Sequence, residues 1–335
     1  MQRVNPFFVL LPLLFLVLLR NLSFGAIQIP LSSVWATLLG DESVKESWRY
    51  ILLNYRLPKA IVAILVGVAL SVSGLLMQTL FRNPMAGPYV LGLSSGAGLG
   101  VALVLLGSSL LPAVLADLVQ SPYGIALASI SGSLVLLTFV LVLARKVQQT
   151  TTLLIVGLMF GSFANAMIGV LTYFSTAEQL KRFTFWSLGS LGNLSHTTII
   201  VFSCCVVLGF IMSIRVVKAL DALLLGERYA TSMGISVKKT RLIIILATSI
   251  LAGGATAFVG PIAFIGLAVP HIARLIFRTS KHSTLLLLSA FVGAILMLFC
   301  DMLTQFPGQA FVLPINAITS ILGAPIVIAL LLKKV

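Results

Sequence analysis

Acidic residues are scarce in this 335-residue chain: eight Asp and Glu stand against 22 Lys and Arg, and charged residues make up only 9%. Seven of the eight acids fall in expected loops or at their edges, and only Asp301 lies within an apolar run. An ion-driven carrier binds its driving ion on ionisable groups inside the bilayer, so that class is left resting on Asp301 alone. Cysteine is nearly absent. Cys204 and Cys205 are adjacent, Cys300 stands apart, and neither metal spacing nor a disulfide framework emerges. The three histidines, His196, His271 and His282, fall on separate loops and at different depths, which argues against a metal site. No G-x-x-x-x-G-K-[ST] loop is present to cradle the phosphates of ATP. "GLSSG" at 92–96 matches the G-x-S-x-G pattern of a nucleophile elbow, but that elbow needs a strand-turn-helix with acid and histidine partners. Here the segment runs into an apolar helix. The short alternating segments of a β-barrel are also missing.

Apolar sequence fills the space. The chain is 59% hydrophobic with a mean hydropathy of +1.14, more apolar surface than a soluble protein of this length can bury. Runs of about 18 or more apolar residues predict membrane-spanning helices. Ten are expected, near 6–24, 59–80, 90–111, 123–144, 152–174, 197–214, 241–260, 262–277, 284–303 and 312–332. The eighth is short and contains Pro270. The first resembles a signal peptide in having Arg3, an apolar stretch and small residues near Gly25; it is read here as a span. The fold class is therefore all-α, a polytopic membrane protein forming one transmembrane domain over 1–335.

Basic residues set the orientation. With a cytoplasmic N-terminus, the inner segments hold 15 of the 22 basic residues and only Asp221 and Glu227 of the acids. The inner segments then carry a net +13 and the outer ones +1. The basic balance thus reports topology and contact with the anionic lipid bilayer, and it gives no reason to invoke nucleic acid. Both termini are expected in the cytoplasm.

Two patterns remain. Gly92, Gly96 and Gly100 recur every four residues, as do Gly67 and Ser71, with Gly74 close by, and Gly157 and Gly161. Small residues at that spacing let membrane helices approach closely. The second pattern is a charged insert, "VKALDALLLGERYATSMGISVKKTR" at 217–241, between two apolar runs. It reads as a short helix, a break at Gly226, a second helix and a stop at Gly234. Leu223, Leu224, Leu225 and Met233 offer apolar contacts, and Asp221, Glu227 and Arg228 polar ones. The insert is either a knob for a soluble partner or a solvated connector.

Five motifs in order give the chain a resemblance to a known family. They are "RLPK" at 56–59, "GVALSVSGLLMQTLFRNPMAGPYVLGLSSGAG" at 67–98, "LLGERYATSMGI" at 224–235, "GPIAFIGLAVPHIARL" at 260–275 and "LPINAITSILGAPIVIALL" at 313–331. Together they resemble the FecCD/BtuC-type permease subunits of type II ABC importers for iron-siderophores, haem and cobalamin, over nearly the whole chain.

The resemblance implies a permease of the bacterial inner membrane that performs no covalent chemistry and binds no cofactor, with ATP and Mg held by the partner ATPase. It implies a second permease copy, identical or paralogous, two cytoplasmic ABC ATPase subunits, and an extracytoplasmic substrate-binding protein. The region of about 215–240 becomes the ATPase-coupling element, marked by Asp221, Leu224, Gly226, Glu227, Arg228, Ala230 and Gly234. Arg56 and Lys59 are implied to dock the binding protein, although Lys59 stands where the motif has arginine, and Gln305 replaces another arginine after Asp301. A pathway between two copies is implied to use Met159, Phe163, Asn165 and Met167 on the fifth span, with Asn83, Met85, Thr150 and Thr151 at the cytoplasmic gate. Another cargo, such as molybdate, suits the same machine, and an ion-coupled carrier using Asp301 is the more distant alternative.

Overall fold

The computed structural model describes residues 6–108, 112, 121–146, 150–192, 194–305, 307–309 and 311–332. Helices dominate, because a chain in hydrocarbon must satisfy its backbone polar groups within itself. Among the described residues no strand forms, and one isolated bridge pairs Gln305 with Val312. Among the described residues, six helical stretches are long and apolar enough to cross a membrane, and four shorter apolar helices accompany them. The ten apolar helices correspond to the ten expected spans.

In chain order, α1 is Phe7–Ser23, followed by the short α2 (Leu31–Leu38) and α3 (Glu46–Ile51). The latter continues through a π-turn at Leu52–Arg56 into α4 (Leu57–Leu80). Next come α5 (Leu93–Leu105), α6 (Pro122–Lys146), α7 (Thr150–Tyr173), α8 (Ala177–Ser187) and α9 (His196–Arg215). The charged insert forms α10 (Val217–Leu225) and α11 (Glu227–Ser232). The second half then runs α12 (Val237–Thr248), a π-turn at Ser249–Gly253, α13 (Gly254–Val259), α14 (Ile265–Phe277), α15 (His282–Leu303) and α16 (Ile315–Leu332).

Helix α4 is the axis of the molecule. Val62, Ala63, Val66, Ala69, Leu70, Leu75, Leu76 and Met77 are all buried along it, so it is apolar all round rather than amphipathic. It packs on α15 and α14 through glycines. A Cβ on Gly67 would collide with the carbonyl of Gly293, and one on Gly74 with that of Gly266. The α5–α6 contact works in the same way: a Cβ on Gly96 would stand 2.8 Å from the carbonyl oxygen of Gly132. The expected small-residue stripes are therefore packing surfaces. Gly92, however, sits just before α5 with φ of +76°, so it caps the helix rather than lying within it.

The halves 46–173 and 237–332 follow one plan. Each begins with a long span carrying a π-turn, passes through irregular backbone, re-enters as a 13-residue helix (α5 or α14), and continues with two further helices. Thirteen residues rise only about 20 Å, short of a bilayer core of about 30 Å. The irregular segments before α5 and α14 complete those crossings. Inside a membrane such backbone is tolerated only where protein satisfies it. Accordingly, Ser190 N donates to Val259 O at 2.9 Å, and Ala263 N donates to Asn316 Oδ1 at 3.0 Å. Alternation of the helices puts the α10–α11 hairpin at one end of the bundle with residues 78–87 and 278–282. Residues 20–30, 56–59 and 301–305 lie at the opposite end.

Candidate coupling and gating surfaces

At the hairpin end, the helix, break, helix and stop expected of 221–234 are all present. Gly226 takes φ of +127° and Gly234 φ of +79°, values an L side chain adopts only under strain. Ala230 N donates to Gly226 O at 2.9 Å, and Ile235 N to Ala230 O at 3.0 Å, which closes the second helix into a tight knob.

The knob has two faces. Leu220, Ala222, Leu223 and Ala230 are buried, joining Leu76, Leu80, Ile244 and Ile245 in one apolar cluster. Ala230, at 0% exposure, is packed into this chain's own core. Leu223 likewise points inward. The acids face the chain as well. Asp221 Oδ1 accepts the backbone N–H of His282 at 2.9 Å and lies 2.7 Å from His282 Nδ1. Glu227 Oε1 lies 3.3 Å from Arg241 Nη2. The outward face is made by Leu224, Leu225, Arg228, Tyr229 and Met233, with Leu225 68% and Met233 59% exposed. Tyr229 was missed in the sequence, although its place four residues from both Leu225 and Met233 marks it. Arg215, Lys218, Lys238 and Lys239, close to the patch in the chain, are exposed.

The loop after α4 lies at the same end. Asn83 Oδ1 accepts the N–H of Met85 at 2.9 Å, and Asn83 O accepts that of Ala86 at 3.0 Å, so Asn83 organises the turn while Met85 is exposed. Thr150 begins α7, but its side chain and that of Thr151 lie outside the described ones.

Along α7, Met159, Phe163 and Met167 are exposed, as is Asn165. Gly157 and Ala164 are the buried positions among the described side chains of α7. A stripe of small residues holds α7 to the chain, and its large apolar side chains project away from it.

At the opposite end, Arg56 and Lys59 both have partners within the chain. The guanidinium of Arg56 is buried and turned onto the chain's own backbone, with Nη1 donating to Leu22 O at 2.6 Å and to Ser23 O at 2.9 Å. Its Nη2 donates to Ile27 O. Lys59 Nζ lies 2.8 Å from Asp301 Oδ1, and Asp301 Oδ2 accepts from Asn21 Nδ2 at 3.0 Å. These contacts fasten α1 and the segment after it to α4 and α15. Gln305 Nε2 points at Asp301 Oδ2 from 3.5 Å. Among the described residues no three His, Cys, Asp or Glu side chains converge as metal ligands.

A multi-span helical bundle, built on two similar halves and carrying a compact hairpin at one end, defines a polytopic membrane protein. The family follows from comparison. The FecCD transport family matches residues 13–333, and the chain belongs to it. It is 36% identical over 326 residues to the hemin transport system permease protein HmuU of Yersinia pestis, covering 97% of this chain and 94% of that protein. It is 35% identical over 331 residues to the vitamin B12 import system permease protein BtuC of Vibrio parahaemolyticus, covering 94% of each. A solved inward-facing structure of a metal-chelate type ABC transporter superposes with a TM-score of 0.84 at 25% identity, over 97% of this chain and 98% of that one.

Proposed function

We propose that this chain is the permease subunit of an ATP-driven importer that moves a bulky iron-siderophore, haem or cobalamin across the bacterial inner membrane by alternating access. It works as a dimer of permeases with two cytoplasmic ATPases and an extracytoplasmic binding protein, and both termini face the cytoplasm. The observation that carries this reading is the hairpin at 217–234. Its buried face packs on α4 and α12 and is hydrogen-bonded to α15 through Asp221, while Leu224, Leu225, Tyr229 and Met233 stay uncovered. A rigid element with an uncovered apolar patch suits a lever that passes an external push into the bundle. The named cargoes of the relatives supply the cargo class. Large apolar side chains along α7, with few polar groups, suit a dimer face that passes a bulky ligand without holding it.

Asp301 supports the same reading. An ion-coupled carrier needs a carboxylate free to take up its driving ion, whereas this one is engaged by Lys59, Asn21 and Gln305.

The test is reconstitution in liposomes with the ATPase and binding protein, following uptake of hemin, a ferric siderophore, cyanocobalamin and molybdate with and without ATP. ATP-dependent uptake of one of the first three is expected. Uptake that follows an ion gradient and ignores ATP would overturn the reading, and uptake of molybdate alone would correct the cargo.

A further inference from the structure

His282 is fully buried at the start of α15, where a polar side chain needs partners. Its two ring nitrogens face two different elements. Nδ1 lies 2.7 Å from Asp221 Oδ1 on α10, and Nε2 lies 2.8 Å from Thr79 Oγ1 on α4. A carboxylate only accepts, so Nδ1 carries a proton and donates to Asp221. Thr79 suits either state at the other nitrogen. It donates to a neutral Nε2, or it accepts from a protonated one while donating to Leu75 O at 3.0 Å. The bridge is therefore complete whichever way His282 is charged, and it holds α10 and α4 at a fixed separation.

The position of Thr79 gives the bridge its meaning. Thr79 is in the last turn of α4, and the chain leaves the helix at Leu80 into the Asn83–Met85 turn. Neighbouring Gln78 braces the same turn from the other side, its Nε2 donating to Leu267 O at 2.9 Å. Arg274 Nη1 donates to Gln78 Oε1 at 3.3 Å. Gln78 O in turn accepts the N–H of Asn83 at 3.1 Å. The end of α4 is thus a hub, tied to the hairpin through His282 and to α14 through Gln78. Hydrogen bonds keep a narrow range of length and angle, so they set the separation of the groups they join.

We infer that His282 and Thr79 are positioning residues that convert displacement of the α10–α11 hairpin into movement of the 81–87 turn, so that the hairpin works the gate through the Asp221–His282–Thr79 bridge. This rests on the proposed ATP-driven function. Neither residue lies on the outward face of the hairpin, so neither is needed for ATPase docking. Their loss is expected to uncouple the machine without disassembling it.

The experiment uses the reconstituted complex in a background with Cys204, Cys205 and Cys300 replaced by Ala. A Met85→Cys probe is labelled by a membrane-impermeant maleimide from the hairpin side, with and without ATP, and ATP hydrolysis is recorded on the same samples. Thr79→Val removes the hydroxyl at nearly constant shape, Thr79→Ser restores it, and His282→Gln breaks the bridge at its centre. In Thr79→Val and His282→Gln, ATP hydrolysis is expected within about twofold of the parent, while the ATP-dependent change in labelling shrinks by about fivefold or more. Thr79→Ser is expected to recover that change, which a general loss of packing would not allow. A full ATP-dependent change in both Thr79→Val and His282→Gln overturns the inference and leaves the proposed function standing. A parent that hydrolyses no ATP and shows no change in labelling of the Met85→Cys probe overturns both together.

Discussion

Lys59 Nζ meets Asp301 Oδ1 at 2.8 Å, with Asp301 1% and Lys59 19% exposed. The pair is asymmetric: the acid is sealed in and the base has a partial route to the surface. Breaking a buried pair leaves the survivor's desolvation uncompensated, and here the survivors differ. Lys59→Met strands a carboxylate whose described hydrogen-bond partners are Asn21 and Gln305 and is expected to destabilise by about 3–5 kcal/mol. Asp301→Asn leaves an ammonium that can snorkel to the interface, with an expected loss of about 1 kcal/mol or less, near the range of exposed pairs. Unfolding midpoints in one detergent would rank the two; equal losses, or the reverse order, would show that Lys59 is not what stabilises Asp301.

Arg56 makes a different prediction, since it gathers the carbonyls of Leu22, Ser23 and Ile27 and forms no ion pair among the described residues. A planar fork of donors reaches three acceptors at once, which an ammonium cannot reproduce. Arg56→Lys is therefore expected to lose at least one charge-assisted bond, worth about 1.5–3 kcal/mol, and to loosen the 24–30 segment. Amide hydrogen exchange over that segment is the readout. Unchanged protection would mean that these bonds do not hold the segment in solution.

The two faces of the hairpin separate docking from folding. Leu225→Asp or Met233→Asp places a charge on an already exposed position, so stability is expected to stay within about 0.5 kcal/mol. Co-purification of the ATPase is expected to fall at least about tenfold, as for loss of a central apolar anchor. Ala230→Leu overfills a fully buried site and is expected to reduce stability by about 1–3 kcal/mol. If Leu225→Asp retains full ATPase binding, the uncovered patch is not the docking face.

These contrasts show what the sequence could carry. The break at Gly226 and the stop at Gly234 were legible because a glycine that ends a helix acts on its immediate neighbours. So were the ten spans, which depend on local composition. The partners of Arg56, Lys59, Asp221 and His282 were not, because each lies on an element distant in the chain, and a single sequence does not encode which helices meet. The direction in which the hairpin residues point was hidden for a related reason. With Leu220, Leu223, Leu224 and Leu225 all apolar, the pattern does not distinguish the face that packs from the face left open. The π-turns at Leu52–Arg56 and Ser249–Gly253 were equally silent, since in helices apolar all round an inserted residue disturbs no visible periodicity.

The uncovered side of α7 tests the assembly. Ile155, Met159, Phe163 and Val170 are all exposed, Phe163 by 57%, and they lie along one span held to the chain by small residues. Lipid tails accept such a face without preference, so apolar exposure alone does not require a protein partner. In the proposed dimer, Met159, Phe163 and Met167, spaced by four, with Asn165 also exposed, face a second copy across a shared pathway. In the background without native cysteines, Phe163→Cys on two copies is then expected to join them by a short bifunctional thiol reagent. Cysteine in place of Ile200, exposed on α9, is expected to join none. Equal cross-linking at both positions would mean random collision in the bilayer. Cross-linking at Ile200 alone would move the pathway to the α9 side and remove Met159, Phe163 and Met167 from it.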